Sequence, residues 1–271
     1  MGTRRIDLGC TFVQWSQRPV HAVFQVEPVL GGIATITGEE WSSDPAIQTR
    51  SYRDIYGNRC RRLMLPAGRS EITFRASAEV PDATEEIDLD APEVAPADLP
   101  DDVMIYTLPS RFCLPDVLAG EAWSRFGGVK PGYGRVQAIC DYVNQHLTFQ
   151  YGTTTAWSTA ADVHESGYGV CRDFTHLAVS LCRSLNIPAR YVFGYLPEIE
   201  VEAKDAPMDF AAWMQVWLGD RWYTFDPRNN MPRKGRVLIG VGRDAADVAM
   251  STAFGAPWLE SMNVVAEEAT G

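Results

Sequence analysis

Gly167-Tyr-Gly-Val-Cys171-Arg-Asp-Phe leads into a stretch in which Phe174, Leu177, Ala178, Leu181, Cys182 and Leu185 recur at helical spacing. Gly169 permits a sharp entry, and Cys171 falls in the first turn. A thiol there lies at the positive end of the helix dipole, beside N–H groups with no intrahelical partner. Both favour the thiolate, which is the nucleophilic form, and the same N–H groups suit a developing oxyanion. Cys171 also extends the apolar stripe, three residues before Phe174, so it points toward whatever packs on that face. A lone cysteine is more often a small core residue, and only the glycine-led helix start gives this one a chemical reading. Cys140 and Cys182 sit within apolar stripes, and Cys10, Cys60 and Cys113 have no chemical neighbours in sequence. No pair is spaced CxxC, and six cysteines in 271 residues are too few for a disulfide scaffold.

A second group of residues lies downstream. Ala211–Leu218 and Arg221–Phe225 read as strands joined by Gly219-Asp220, a hairpin turn pair. That loop sets Leu218 opposite Arg221, Trp217 opposite Trp222 and Trp213 opposite Asp226. Strand alternation puts 211, 213, 215 and 217 on one face with 222, 224 and 226. Position 211 is then the diagonal neighbour of Asp226, about 7 Å away between backbones. A histidine there would hydrogen-bond the carboxylate, but the chain has Ala211. Asp226-Pro227 also reads as an ordinary turn opening. The histidines present do not fill the gap. His176 is about 140° around its helix from Cys171, and His21, His146 and His164 lie in other segments. No metal-ligand spacing, GxGxxG, P-loop or GxSxG occurs, so no metal is expected.

The elements that must position these residues follow from patterning. Residues 1–80 read as β, in runs such as Thr11–Val13, Val20–Val26, Ile33–Ile36 and Glu71–Arg75, with a hairpin tip at Tyr56–Arg59. Residues 81–130 begin with an acidic, Pro-rich tract and read as a linker or strap. Residues 131–271 read as a mixed core. Val136, Ile139, Cys140, Val143 and Leu147 mark one helix, Pro188 stops the Cys171 helix, and Ala189–Tyr195 is a strand. A hydrophobic share of 46% excludes disorder as the main state. The net charge of −11 argues against nucleic acid or an anionic membrane as partner. No apolar run approaches the roughly 18 residues of a membrane helix. Arg4-Arg5 is not followed by an apolar segment, so no export signal is expected and the cytoplasm is the expected compartment.

These segments together resemble bacterial transglutaminase-like cysteine proteins, the superfamily of transglutaminases and related peptidases and amidases. Gly169–Leu177 resembles the nucleophile segment, Ile187–Leu196 the strand after it, Met208–Trp213 the His strand and Arg221–Pro227 the Asp strand. Gly242–Ala249 with Phe254-Gly255 resembles the C-terminal extension. The resemblance implies an α+β fold: a β-rich N-terminal region, then a papain-like core whose nucleophile helix packs on an antiparallel sheet. It implies a Cys-His-Asp triad at Cys171, position 211 and Asp226. In that chemistry the histidine takes the thiol proton, Asp226 orients it, and the thiolate attacks a carboxamide to form a thioester. The second oxyanion donor is expected upstream, at Tyr151 or Trp157, with Tyr168 and Trp213 as cleft walls. No cofactor is required, and the partner is a peptide or protein substrate. The departure is Ala211. A single replacement within an otherwise matching segment reads as a His-to-Ala variant and predicts a chain without turnover; an Ala codon in the source gene would refute an introduced change. A naturally inactive peptide-binding relative, or an amine-transferring enzyme, are the alternatives.

Overall fold

A computed structural model describes residues 2–202 and 207–269. The N-terminal third forms strands β1 (Thr3–Ser16), β2 (Val20–Phe24), β3 (Thr35–Asp44), β4 (Thr49–Arg53), β5 (Arg59–Leu65) and β6 (Gly68–Pro81). Helices α1 (Pro115–Phe126), α2 (Tyr133–His146), α3 (Ala160–Ser166) and α4 (Cys171–Ser184) follow, with short strands β7 (Thr148–Phe149) and β8 (Tyr168–Gly169). The chain continues with β9 (Ala189–Tyr195), β10 (Ala211–Leu218), β11 (Arg221–Phe225), β12 (Val237–Gly242), β13 (Ser251–Ala253) and β14 (Trp258–Glu268). This is the expected α+β architecture, with a four-stranded antiparallel sheet β11-β10-β9-β12 beneath the helices. Among the described residues no helix is long and apolar enough to cross a membrane.

Helix α4 is the centre of the core. Leu177, Ala178, Leu181 and Cys182 are fully buried, and they pack with Met214, Val216 and Phe225 of the sheet and Val136, Ile139 and Val143 of α2. Its end follows from Asn186, at φ 62°, and the Pro188 that cannot continue a helix. Replacing Leu181 by Ala is expected to cost about 2–5 kcal/mol, because the deleted methyls leave a cavity in a packed layer. Guanidinium titration against the unchanged chain measures it, and a loss below 1 kcal/mol would remove α4 from the centre of the core.

The division at 80, 81–130 and 131–271 does not match the structure. The last strand, β14, lies antiparallel on β1, with Cys10 opposite Val264 and Ile6 opposite Glu268, while β13 pairs with β2. Two antiparallel sheets, β14-β1-β6-β3 and β13-β2-β5-β4, therefore need both ends of the chain. Strand pairing between distant segments leaves no local signal, which is why the sequence reading kept the end of the chain with the core, as its C-terminal extension. Residues 81–130 are likewise not only a linker. They hold α1, whose Leu118, Ala122 and Phe126 belong to the helical core. The acidic tract is pinned to the β10–β11 hairpin: Arg221 pairs with Glu86 at 2.6 Å, the Tyr223 hydroxyl donates to Asp88, and the Gly219 N–H donates to the Pro92 carbonyl at 2.8 Å.

Candidate active site

Helix α4 starts on an extended Val170, whose side chain cannot cap it. Asp173 does so instead. Its Oδ2 accepts the Val170 N–H at 2.9 Å and the Thr154 hydroxyl at 2.7 Å, while Arg172 pairs with Oδ1 at 2.8 Å. Gly169 makes this possible through space: a Cβ there would lie 2.7 Å from the Asp173 Cβ. The sharp positive-φ turn is at Gly167 (φ 74°), which caps α3, and not at Gly169 as the sequence was read.

Cys171 is thus the first residue of α4, and of the six cysteines it is the one with partial exposure. Its Sγ lies 3.9 Å from the Phe210 carbonyl, and the Ala212 N–H points at the thiol. The two backbone groups that flank residue 211 therefore both address Cys171. Burial raises the thiol pKa; Arg228 and the Ala212 N–H pull it down, Asp209 and Asp226 push it further up, and the net direction is upward. The helix start alone does not produce the thiolate that its position suggested. Arg228, the cation that acts on the sulfur, does not offset the burial.

The hairpin has the expected register, with Leu218 opposite Arg221 and Trp217 opposite Trp222. Met214 opposite Phe225 is the last ladder pair, which leaves Trp213 beside Asp226 just beyond it. Arg236 joins the two: its guanidinium lies 4.8 Å over the Trp213 ring and donates to Asp226 Oδ2 at 2.7 Å. Asp226 Oδ1 also accepts the N–H groups of Arg228 and Asn229, and the Asn229 side-chain amide donates to Oδ2. The carboxylate is 3% exposed. Burial would raise its pKa, but Arg236 and the Asn229 bonds outweigh burial and hold it below the usual carboxylate range. Arg236 comes from a segment with no pattern that ties it to Asp226, and sequence reasoning missed it. The Asp-Pro-x-Asn run at 226–229 did carry a readable turn signal for Asn229.

Cys171 and Ala211 open on one cleft of about 740 Å³, also lined by Tyr151, Asp209, Phe210 and Arg228. Its size suits several residues of a peptide. Of the residues expected around the nucleophile, Tyr151 is at this cleft and Trp157, Tyr168 and Trp213 are not among its lining. Trp157 is 74% exposed on its loop and Tyr168 is exposed on β8. Trp213 is 1% exposed and faces a different cavity. No residue of 81–102 lines the cysteine cleft. Among the described residues no group of three or more His, Cys, Asp or Glu side chains is arranged to hold a metal.

His176 is buried on α4, stacked on Phe112 and tilted against Tyr191. Its Nε2 accepts the Ala245 N–H at 3.1 Å, so the proton sits on Nδ1. Burial, helped by Arg172 and Arg183, lowers its pKa to about 3. Neutral in the fold, it protonates freely in the unfolded chain below about 6.5. Stability therefore declines as pH falls from 6.5 toward 3, by about 2 kcal/mol at pH 5 from this residue. In melting curves from pH 7 to 4, His176→Gln should lose less stability than the unchanged chain; parallel curves would contradict this.

A model of the transglutaminase-like superfamily matches residues 122–227, which span α2, α4 and the β10–β11 hairpin. An uncharacterised protein of Mycobacterium leprae is 30% identical over 211 residues, covering 74% of this chain and 75% of that protein. An uncharacterised Mycobacterium tuberculosis protein is 33% identical over 111 residues, covering 38% of this chain and 35% of its own. Among solved structures, a Cytophaga hutchinsonii protein provisionally assigned as a cysteine protease superposes with a TM-score of 0.91 at 28% identity, over all of this chain and 92% of that one. The family match falls on the segments that bring Cys171 to β10, and the chain belongs to the transglutaminase-like superfamily.

Proposed function

We propose that this site is that of a cysteine hydrolase of peptide, isopeptide or related amide bonds, silent in this chain because residue 211 is alanine. One observation carries the reading: the Phe210 carbonyl and Ala212 N–H bracket residue 211 and both address the Cys171 sulfur. A β-strand side chain at 211 starts beside that thiol, and Asp226 lies along the same sheet face. An imidazole there accepts the Sγ proton, and the thiolate attacks the carboxamide carbonyl. The tetrahedral oxyanion is held by the Cys171 N–H at the helix start, with Tyr151 at the cleft as the second donor. As the C–N bond breaks, the imidazolium gives its proton to the leaving amine, and a thioester remains. Water, deprotonated by the same imidazole, then releases the acid and restores the thiol.

The test is product analysis with the Ala211→His chain and a mixed peptide library. Release of amine with a new carboxylate supports hydrolysis. Incorporation of an added primary amine in preference to water would replace hydrolysis by amine transfer. A second reading, a peptide-binding chain without chemistry, draws on the Asp226 carboxylate, which already accepts four hydrogen bonds. Peptide affinity with no turnover gained at Ala211→His would favour it.

A further inference from the structure

A second cavity, of about 410 Å³, lies on the sheet face turned away from α4. Its floor is a row across three strands: Arg190 of β9 opposite Gln215 of β10, and Gln215 opposite Thr224 of β11. Trp213 and Arg236 continue the floor toward Asp226. The turn at Tyr56–Asn58 and the loop from Val29 to Ala34 close it from the N-terminal sheets. The volume is in the range of small-molecule sites, and Val29, Ile33, Leu238 and Val241 make most of its walls apolar.

Its charges are unbalanced. Arg190 donates through Nε and Nη2 to the neutral Gln215 Oε1, at 2.9 and 2.7 Å, and stacks 4.1 Å over Trp222. The Tyr106 hydroxyl also hydrogen-bonds with it and Asp102 attracts it from farther off, but no carboxylate among the described residues lies within ion-pair distance of it. Arg236 shares its charge between Glu85 and Asp226, yet its Nη1 is buried with no hydrogen-bond partner, on a side chain that is 9% exposed. A buried guanidinium N–H without an acceptor is costly, and an oxygen anion is the group that relieves it. Glu85, the one acid of the lining, is already engaged by Arg236 and by the Arg233 N–H.

We infer that this cavity is a binding site for a small monocarboxylic acid with an apolar body, its carboxylate held by Arg190 and Arg236 and its body against Trp213, Leu238 and Val241. The site is separate from the cysteine cleft. The two share no lining residue and both border β10, where Ala211 faces one and Trp213 the other.

The chain as it stands, with Ala211, is the material for the test, so the outcome does not depend on catalysis. Calorimetric titration compares hexanoate, hexanamide and hexylammonium. Saturable one-to-one binding of hexanoate is expected, with hexanamide at least tenfold weaker and hexylammonium without measurable binding. Arg190→Gln should weaken hexanoate at least tenfold, and Leu238→Trp, which fills the cavity, should abolish it. Ile33 stands 84% exposed at the rim, so Ile33→Asp leaves the fold intact while repelling an anion from the mouth, and it decides the matter should the other two variants misfold. Absence of saturable hexanoate binding overturns the inference. So does equal affinity for the amide, or hexanoate binding that the folded variants leave unchanged.

Discussion

Ala211→His raises the rate of amide-bond cleavage by about 10²–10⁴-fold, the usual contribution of a positioned general acid–base. At about 1.4 kcal/mol per tenfold, that is roughly 3–5 kcal/mol of barrier. The physical basis is the present state of the thiol. Burial, Asp209 and Asp226 keep it protonated against the pull of Arg228 and the Ala212 N–H. An imidazole takes the proton, and its positive charge then stabilises the thiolate. Iodoacetamide alkylation of Cys171 followed against pH reports this directly: the midpoint moves to lower pH with histidine in place. Cys171→Ala in the same background must abolish both alkylation and turnover. Asp226 has to give up one of its four donors to accept the imidazole N–H, so Asp226→Asn beside Ala211→His should forfeit most of the gain. If histidine moves neither the alkylation profile nor turnover, Cys171 is not the nucleophile of a latent site.

Arg236→Met destabilises the fold by about 3–5 kcal/mol at pH 7, the cost of removing one partner of a buried ion pair. Arg236 lies between Asp226 and Glu85, both largely buried, and methionine would leave two carboxylates without their cation. The pH dependence has a definite sign. In the unchanged chain Asp226 has a depressed pKa, so its contribution is complete above the unfolded value near 4 and is lost as pH falls through the depressed one. Without Arg236, burial raises the Asp226 pKa instead. The gap between the two chains is therefore widest near neutrality and narrows on acidification as Asp226 protonates. Urea titrations at pH 7, 5.5 and 4.5 measure it. A gap independent of pH would mean that methionine disrupts packing over Trp213 and that the charge pairing contributes little.

Much of the site was legible in the chain because its signals are local. The helical spacing after Cys171, the stop at Pro188, and the two-residue turn at Gly219-Asp220 each depend on residues a few positions apart. They sufficed for α4, β9 and the β10–β11 register. The same locality explains the errors. Gly169 was assigned a turn, since glycine by itself does not say whether φ or space requires it, and only the approach of Asp173 decides for space. Trp213 shares a strand face with position 211, yet two residues of strand carry it to a separate cavity.

The sequence by itself determined that Cys171 falls in the first turn of its helix, that position 211 lies on the strand face of Asp226, and that this position holds alanine. Periodicity, turn chemistry and alternation are properties of neighbouring residues, and tertiary packing did not override them here. Only the tertiary structure decided that β14 returns to β1, that the acidic tract straps the hairpin, and that Arg236 saturates Asp226 and borders a second cavity. Those are meetings of residues from 10 to more than 200 positions apart. What fixes them is the burial of shared apolar faces and the pairing of buried charge, neither of which leaves a spacing in the chain.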